Sequence, residues 1–316
     1  MNILAGNSPL PTLAPGNRLL VEGYRTLFYM ELKEAPSVFP KIFEVRESNK
    51  RSETDFEFVG QTMAQQSVIG GQTEFESILD GGTKETKNLL FKKGFQVAEE
   101  DVEDDLYGVL GKTGKMLPKT FTRRCEASAA SVWAGMFSTT VGFDGQPICS
   151  TTHPFVAGRS NVTTGANTWS NRLASDSALS PEMLQSLQIL LRQTRTREGM
   201  PGGLIGDTLV VPVELEARAW EILASMYKAY TDTNERNIHG QGGKWPLEVI
   251  SWEWIPSSTM YAVLDSAMTP FFFQWRRRPQ FREQTDLNNG IQQFYGRMRY
   301  GVDANEPRGV AATPGA

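Results

Sequence analysis

Apolar residues recur at helical spacing in some stretches of the chain and alternate with polar ones in others. After Asn17, a suitable N-cap, Leu20, Tyr24, Leu27, Phe28 and Glu31 repeat at helical intervals until Pro36 blocks continuation, so a short helix is expected there. From Pro40 to about Asp105 the pattern becomes alternation. Phe56 and Phe58 flank Glu57, and Leu90, Gly94 and Val97 punctuate a second extended run, which together predict a long hairpin. Its middle holds Gly70-Gly71 and Asp80-Gly81-Gly82 among glutamines, which suits a loose polar tip. Arms of about 15 to 20 residues at roughly 3.3 Å each would reach about 50 to 65 Å, further than a small domain is wide. Such a hairpin needs another surface to lie on, and Phe56, Phe58 and Phe91 are available for burial there.

The strongest helical pattern follows. Leu117, Phe121, Cys125, Ala129, Val132, Trp133 and Met136 form one stripe, Pro118 falls in the first turn, and Lys119, Arg123, Arg124 and Glu126 are assigned to the opposite face. This helix should end between Ser138 and Gly142, before the turn at Asp144-Gly145. A polar loop over 160–177 precedes Ser180-Pro181-Glu182, which caps a helix carrying Met183, Leu184, Leu187, Leu190 and Leu191. Thr208-Leu209-Val210-Val211 reads as a short buried strand, and Leu215, Ala219, Ile222, Leu223, Met226 and Tyr230 as the stripe of a further helix. That order indicates a mixed α/β domain over about 143–255. After Pro256, strands are expected at Tyr261–Leu264 and Phe271–Trp275, with a hairpin around Asn289-Gly290. The stretches 1–16 and 304–316 read as arms of small residues.

Composition narrows the classes. Lys and Arg total 32 against 36 Asp and Glu, a net charge of −4, with 40% hydrophobic and 22% charged residues, so a folded soluble protein is expected and a chain built throughout to grip nucleic acid is not. Residues 1–16 lack the basic and apolar regions of a secretory signal, and the apolar cluster Phe271–Phe273 is too short to span a bilayer.

The candidate chemistry is sparse. Gly111-Lys112-Thr113 ends like a phosphate loop, but Leu106 stands where that loop needs glycine, and Gly199, Gly202, Gly203 and Gly206 precede a strand instead of opening a helix. Asp144, Ser150 and His153 supply the residue types of a hydrolase triad within one turn, where nucleophile, base and orienter seldom converge, so His153 is read as structural. Cys125, Cys149, His153 and His239 lack the paired spacing of a zinc site. No catalytic, cofactor or metal residue is assigned. Arg276-Arg277-Arg278 with Arg282, among Phe273, Trp275 and Phe281, is a basic aromatic run. It suits pairing with an acidic patch such as 99–105 on another copy or within the chain, ahead of nucleic-acid contact.

The order of elements, with Asp144-Gly145-Gln146-Pro147-Ile148 before Thr152-His153-Pro154, Leu209-Val210-Val211-Pro212 before the helix at Leu215, and Tyr261-Ala262-Val263, Phe273-Gln274-Trp275 and Arg297-Met298-Arg299-Tyr300-Gly301-Val302, resembles the major capsid protein of tailed double-stranded DNA phages, in particular the Mu-like head-subunit group. The resemblance runs from about Leu19 to Val310. It implies an α+β fold of the Hong Kong phage type: an N-terminal arm with a short helix (1–39), an extended hairpin loop (40–97), the first part of a peripheral domain with its spine helix (98–142), an axial domain (143–255), and the returning peripheral strands with a tail (256–316). It further implies a structural, non-enzymatic subunit that forms hexamers and pentamers of an icosahedral head, is part of the virion and is assembled in the host cytoplasm. Portal, scaffolding protein and a decoration protein are the implied partners, with packaged DNA held by weak non-specific contact. The expected subunit contacts are Phe56, Phe58, Gly70, Gly71, Phe75, Gly81, Gly82, Phe91, Arg276, Arg277 and Arg278. No long charged segment precedes the arm, which implies a scaffold that is a separate protein or is removed beforehand. An encapsulin-like nanocompartment shell of the same fold is the alternative, and a cytosolic hydrolase using His153 with Ser150 or zinc is a rival from another class.

Overall fold

The structure is a computed structural model, which describes residues 15–61, 75–77, 79–98, 109–155, 168–225, 227, 236–240, 242–286 and 291–316. These fall into two compact units. The first contains helix α1 (Pro15–Glu34) with the described parts of Leu90–Arg124 and Arg277–Arg299; the second contains those of Ser37–Leu89, Cys125–Arg276 and Tyr300–Ala316. Helix α2 (Val109–Ala134) and two long strands each contribute residues to both units.

In the second unit, strand β1 (Glu44–Glu47) pairs in parallel with the opening residues of β10 (Phe271–Asp286), Glu44 against Phe272. Strands β2 (Ser52–Val59) and β3 (Leu79–Lys87) form an antiparallel hairpin whose pairing runs from Ser52 with Lys87 to Val59 with Leu79, with an irregularity between Phe56 and Phe58. Strand β4 (Leu89–Ala98), expected as part of the same hairpin, instead stands beside β11 (Ile291–Ala304) in a different sheet. Alternation marks Leu90, Gly94 and Val97 as extended, yet it carries no information about the partner strand. Gly81 and Gly82 lie in β3 and not in a loose tip. A Cβ on Gly82 would sit 2.1 Å from the Phe143 carbonyl oxygen, so only glycine lets the two backbones approach this closely. Gly70 and Gly71 lie outside the described residues, as do Met226, Tyr230 and the acidic stretch 99–105.

Helix α2 begins eight residues before the expected start, with Pro118 inside it. The predicted stripe is the buried one, and Leu117, Phe121, Cys125, Ala129, Trp133 and Met136 are all in the core. Glu126 departs from the expectation, because it is 4% exposed instead of facing solvent. The Ser37 hydroxyl and the Val38 amide donate to its Oε1 at 2.6 and 2.7 Å, and the Trp252 indole N–H donates to Oε2 at 2.7 Å.

The α/β part of the second unit follows two two-residue strands, β5 (His153–Pro154) and β6 (Thr168–Trp169), that pair with each other. Helix α3 (Pro181–Gln193) is capped as predicted by Ser180, whose hydroxyl accepts from the Met183 amide at 3.3 Å. Strand β7 (Thr208–Val211), helix α4 (Val213–Ala224) and strands β8 (Glu248–Ser251), β9 (Tyr261–Leu264) and β12 (Val310–Thr313) complete it. The sheet order is β12-β9-β7-β8, with β7 and β8 parallel and the other neighbours antiparallel. Leu184, Leu187 and Leu191 of α3 and Ala219, Ile222 and Leu223 of α4 form one core with Leu209, Val211, Tyr261, Val263 and Ala311. Burial of every residue in β7 and β9 explains their unbroken apolar runs. The C-terminal stretch is not a loose tail, since β12 is wholly buried beside β9.

In the first unit, β11 alternates buried and half-buried positions without interruption from Ile291 to Tyr300. Its inward residues meet α1 and α2 in an aromatic core: Tyr24 packs on Phe95 and Phe294, and Phe28 on Phe121 and Phe281. No described helix is long and apolar enough to cross a membrane.

Candidate assembly surface

The β2–β3 hairpin buries Glu57, Val59 and Thr86 and turns Phe56 and Phe58 to solvent. Glu57 is 6% exposed, whereas Phe56, Phe58 and Phe75 are 61%, 71% and 91% exposed. Large aromatic side chains turned to solvent on a ribbon make it a candidate contact surface.

The ribbon is held to its own unit by charge. Arg197 Nε lies 3.3 Å from Glu57 Oε2, which also accepts the Gly82 amide at 3.2 Å. Burial raises the Glu57 carboxyl above its ordinary value, against the pull of the Gly82 N–H and Arg197. Burial also works to raise Glu198, but hydrogen bonds from Thr196, its own backbone and the Gly60 amide, with the charge of Arg308, outweigh it and hold that carboxyl below the usual range. On the other strand, Lys84 Nζ donates to the carbonyls of Val141 and Ala304 at 2.6 and 2.7 Å and meets Asp303 at 2.5 Å. These contacts fix the ribbon on its own unit while Phe56 and Phe58 stay exposed.

The other expected contacts are arranged differently. Phe91, on β4, is half-buried with the Arg124 guanidinium 4.9 Å from its ring centre. On β10, Arg276 and Arg277 are half-buried and Arg278 is exposed, and the acidic stretch proposed to pair with them lies outside the described residues.

His153 is fully buried and stacks on Trp169, with ring centres 4.4 Å apart. Its Nδ1 meets Asp144 Oδ2 at 2.6 Å and its Nε2 meets Asn171 Oδ1 at 3.0 Å. Asn171 Nδ2 in turn donates to the Ile148 and Pro307 carbonyls. Both ring nitrogens are therefore engaged, and neither is left to take a proton from Ser150, whose hydroxyl accepts the Thr152 amide. The arrangement ties a turn together. Cys125 and Cys149 are free thiols, both buried, and burial pushes the Cys149 thiol well up. No group of three or more His, Cys, Asp or Glu placed to hold a metal occurs among the described residues.

Sequence reasoning missed Glu57 and Glu126. The sign of a charge along the chain does not say whether its side chain is turned into donors contributed by residues about 25 to 140 positions away, such as Gly82 and Arg197 for Glu57 and Val38 and Trp252 for Glu126.

The chain is thus an α+β subunit whose β2–β3 hairpin turns phenylalanines to solvent, an arrangement of the kind a structural protein presents. A family model described as phage capsid protein matches residues 91–313, and the chain belongs to that family. It is accordingly a structural protein and a component of the virion. No curated protein is significantly similar in sequence. The fold is similar to the procapsid of bacteriophage JBD30 at a TM-score of 0.54 and 16% identity, over 95% of this chain and 76% of that one. It is similar to the Mycobacterium phage Che8 structure at 0.53 and 11%, over 100% and 98% of the two chains. The virus-like particle from Pyrococcus furiosus matches at 0.52 and 11%, over 93% and 99%.

Proposed function

We propose that the chain is the major capsid subunit of a tailed phage, and that copies of it associate into the hexamers and pentamers of an icosahedral head around double-stranded DNA. The observation that carries this is the hairpin, with Phe56, Phe58 and Phe75 exposed above a buried charged base, in a chain of the phage capsid family. The hairpin lies on an adjacent subunit, and surface complementarity is the whole mechanism. Arg276, Arg277 and Arg278 contribute to contacts between subunits. Portal, scaffolding protein and a decoration protein are its partners, assembly takes place in the host cytoplasm, and the net charge of −4 suits a container that holds DNA loosely. The printed description of one similar structure, a JBD30 capsid decorated with minor capsid protein trimers, supports the decoration partner.

A second reading, a nanocompartment shell, is supported by the likeness to the Pyrococcus furiosus particle, while the family match favours the capsid. Electron microscopy and size-exclusion chromatography of the purified protein test both. Capsomers or closed shells are expected. A monodisperse monomer at every concentration and salt would overturn the proposal, and shells enclosing an enzyme in place of DNA would favour the second reading.

A further inference from the structure

Helix α4 ends at Ala224, and the described residues of 236–245 return to that end. Tyr227 and Arg236 are joined by an antiparallel bridge. The end of a helix leaves carbonyls without partners, and Asn237 satisfies them here: its Nδ2 donates to the Ile222 and Ser225 carbonyls at 2.6 and 3.1 Å. Its Oδ1 accepts the His239 amide at 3.1 Å. The Trp245 amide donates to the Ile238 carbonyl at 3.0 Å, and the Gly243 amide to that of Gly240 at 2.9 Å. A Cβ on Gly240 would lie 2.1 Å from the Ser225 carbonyl oxygen, so the segment meets the helix end backbone to backbone. Together these contacts make a clasp.

His239 sits inside it, 2% exposed. Its Nδ1 lies 3.2 Å from the Trp245 carbonyl oxygen, which can only accept, so Nδ1 carries the ring hydrogen and Nε2 the lone pair. Nε2 is shielded from solvent, with no hydrogen-bond partner among the described residues. The charged groups of the surrounding elements are turned to other partners. Within the segment, Arg236 donates to the Gly242 carbonyl and Lys244 lies over the Trp245 ring. From α3, Arg192 also lies over that ring, 4.9 Å from its centre. On α4, Glu216 accepts the Ser251 hydroxyl, Arg218 pairs with Glu221, and Glu214 is exposed in the first turn. Burial therefore prevails over the Trp245 carbonyl and holds the ring below the ordinary value of 6.5. His153 differs, because Asp144 and Asn171 present an acceptor to each of its ring nitrogens.

A proton added at Nε2 places in the closed clasp a buried charge and a donor with nothing to bond, whereas an open clasp gives both to water. We infer that 236–245 is an acid-opened clasp, in which protonation of His239 at Nε2 releases Asn237 from the end of α4 and parts Tyr227 from Arg236. Above the ordinary value of 6.5 the ring is neutral whether the clasp is closed or open, and closure keeps its full stability. As pH falls below 6.5 the open form takes the proton first, so the ratio of closed to open falls by up to about tenfold per pH unit, until the closed form is protonated as well. The inference goes beyond the capsid reading and does not depend on it, because the clasp and its histidine belong to a single copy of the chain.

Amide hydrogen exchange of the full chain, read by mass spectrometry and corrected for the intrinsic effect of pH on exchange, tests it. Protection of 236–245 and of the end of α4 should fall by up to about tenfold per pH unit below 6.5, while that of β7 holds. His239→Gln keeps a donor for the Trp245 carbonyl and cannot titrate, so its protection should not follow pH. Wild-type protection that is constant between about pH 7.5 and about pH 5, or an equal fall in both proteins, would overturn the inference. The chain has two histidines, so nuclear magnetic resonance of histidine-labelled wild type gives a second readout should the variant fail to fold. One ring should remain neutral at pH 6.5 and take its proton in step with the loss of protection. Two rings that charge while protection holds would overturn the inference as well.

Discussion

Replacing Glu126 separates a buried structural acid from a surface charge. Its carboxylate accepts the Trp252 indole N–H, the Val38 amide and the Ser37 hydroxyl, all at 2.6 to 2.7 Å. In Glu126→Ala, Ser37 and Val38 are half-buried and regain water, so each loses about 0.5 to 1.5 kcal/mol. Trp252 is fully buried and its donor stays unsatisfied, which costs about 1 to 3 kcal/mol. A total near 4 kcal/mol lowers the melting temperature of the unassembled subunit by about 8 to 16 °C. Glu126→Gln keeps one acceptor oxygen and turns an NH₂ group toward a donor, so a loss of about 1 to 2 kcal/mol is expected. Trp252→Phe removes that donor, and in the Glu126→Gln background it should therefore cost less than in the wild type, by roughly 1 kcal/mol. The assay is thermal and denaturant unfolding followed by circular dichroism below the concentration at which shells form. A Glu126→Ala subunit melting within about 2 °C of wild type, or strict additivity in the double variant, would refute the reasoning.

Trp133 is fully buried against Trp252 and Phe271, so Trp133→Ala should cost about 3 to 5 kcal/mol and appear first as lost soluble yield, measured by expression and melting. Phe56→Asp with Phe58→Asp alters residues that are more than half exposed, so the subunit should melt like wild type in circular dichroism yet fail to form shells in sedimentation velocity. Glu57 has its carboxyl raised by burial, so folding favours its protonated form and its contribution is most favourable at low pH; as pH rises from the ordinary value of 4.5 through the raised value, that advantage is lost. Wild type should therefore gain stability relative to Glu57→Gln as pH falls from 7 toward 4.5, and a difference independent of pH in paired denaturant titrations would contradict the assignment. His153→Ala empties a site bonded to Asp144 and Asn171, so lower melting of the subunit is expected, with shells of normal diameter by microscopy once it is folded.

The stripe from Leu117 to Met136, the Ser180 cap and the unbroken run Thr208–Val211 were legible along the chain because each depends on near neighbours: helical periodicity, a hydroxyl three residues from an amide, burial on both faces of a short strand. The order of such elements was enough for the family resemblance. Partnership between distant segments was not legible. Leu89–Ala98 reads as a hairpin arm until β11 takes it, Ala304–Ala316 reads as a tail until β9 buries Val310–Thr313, and Glu126 reads as solvated until Val38 and Trp252 converge on it. Side-chain periodicity fixes which face of an element is apolar, while the choice of partner depends on which surfaces fit and which donors meet acceptors, and those are properties of the assembled tertiary structure.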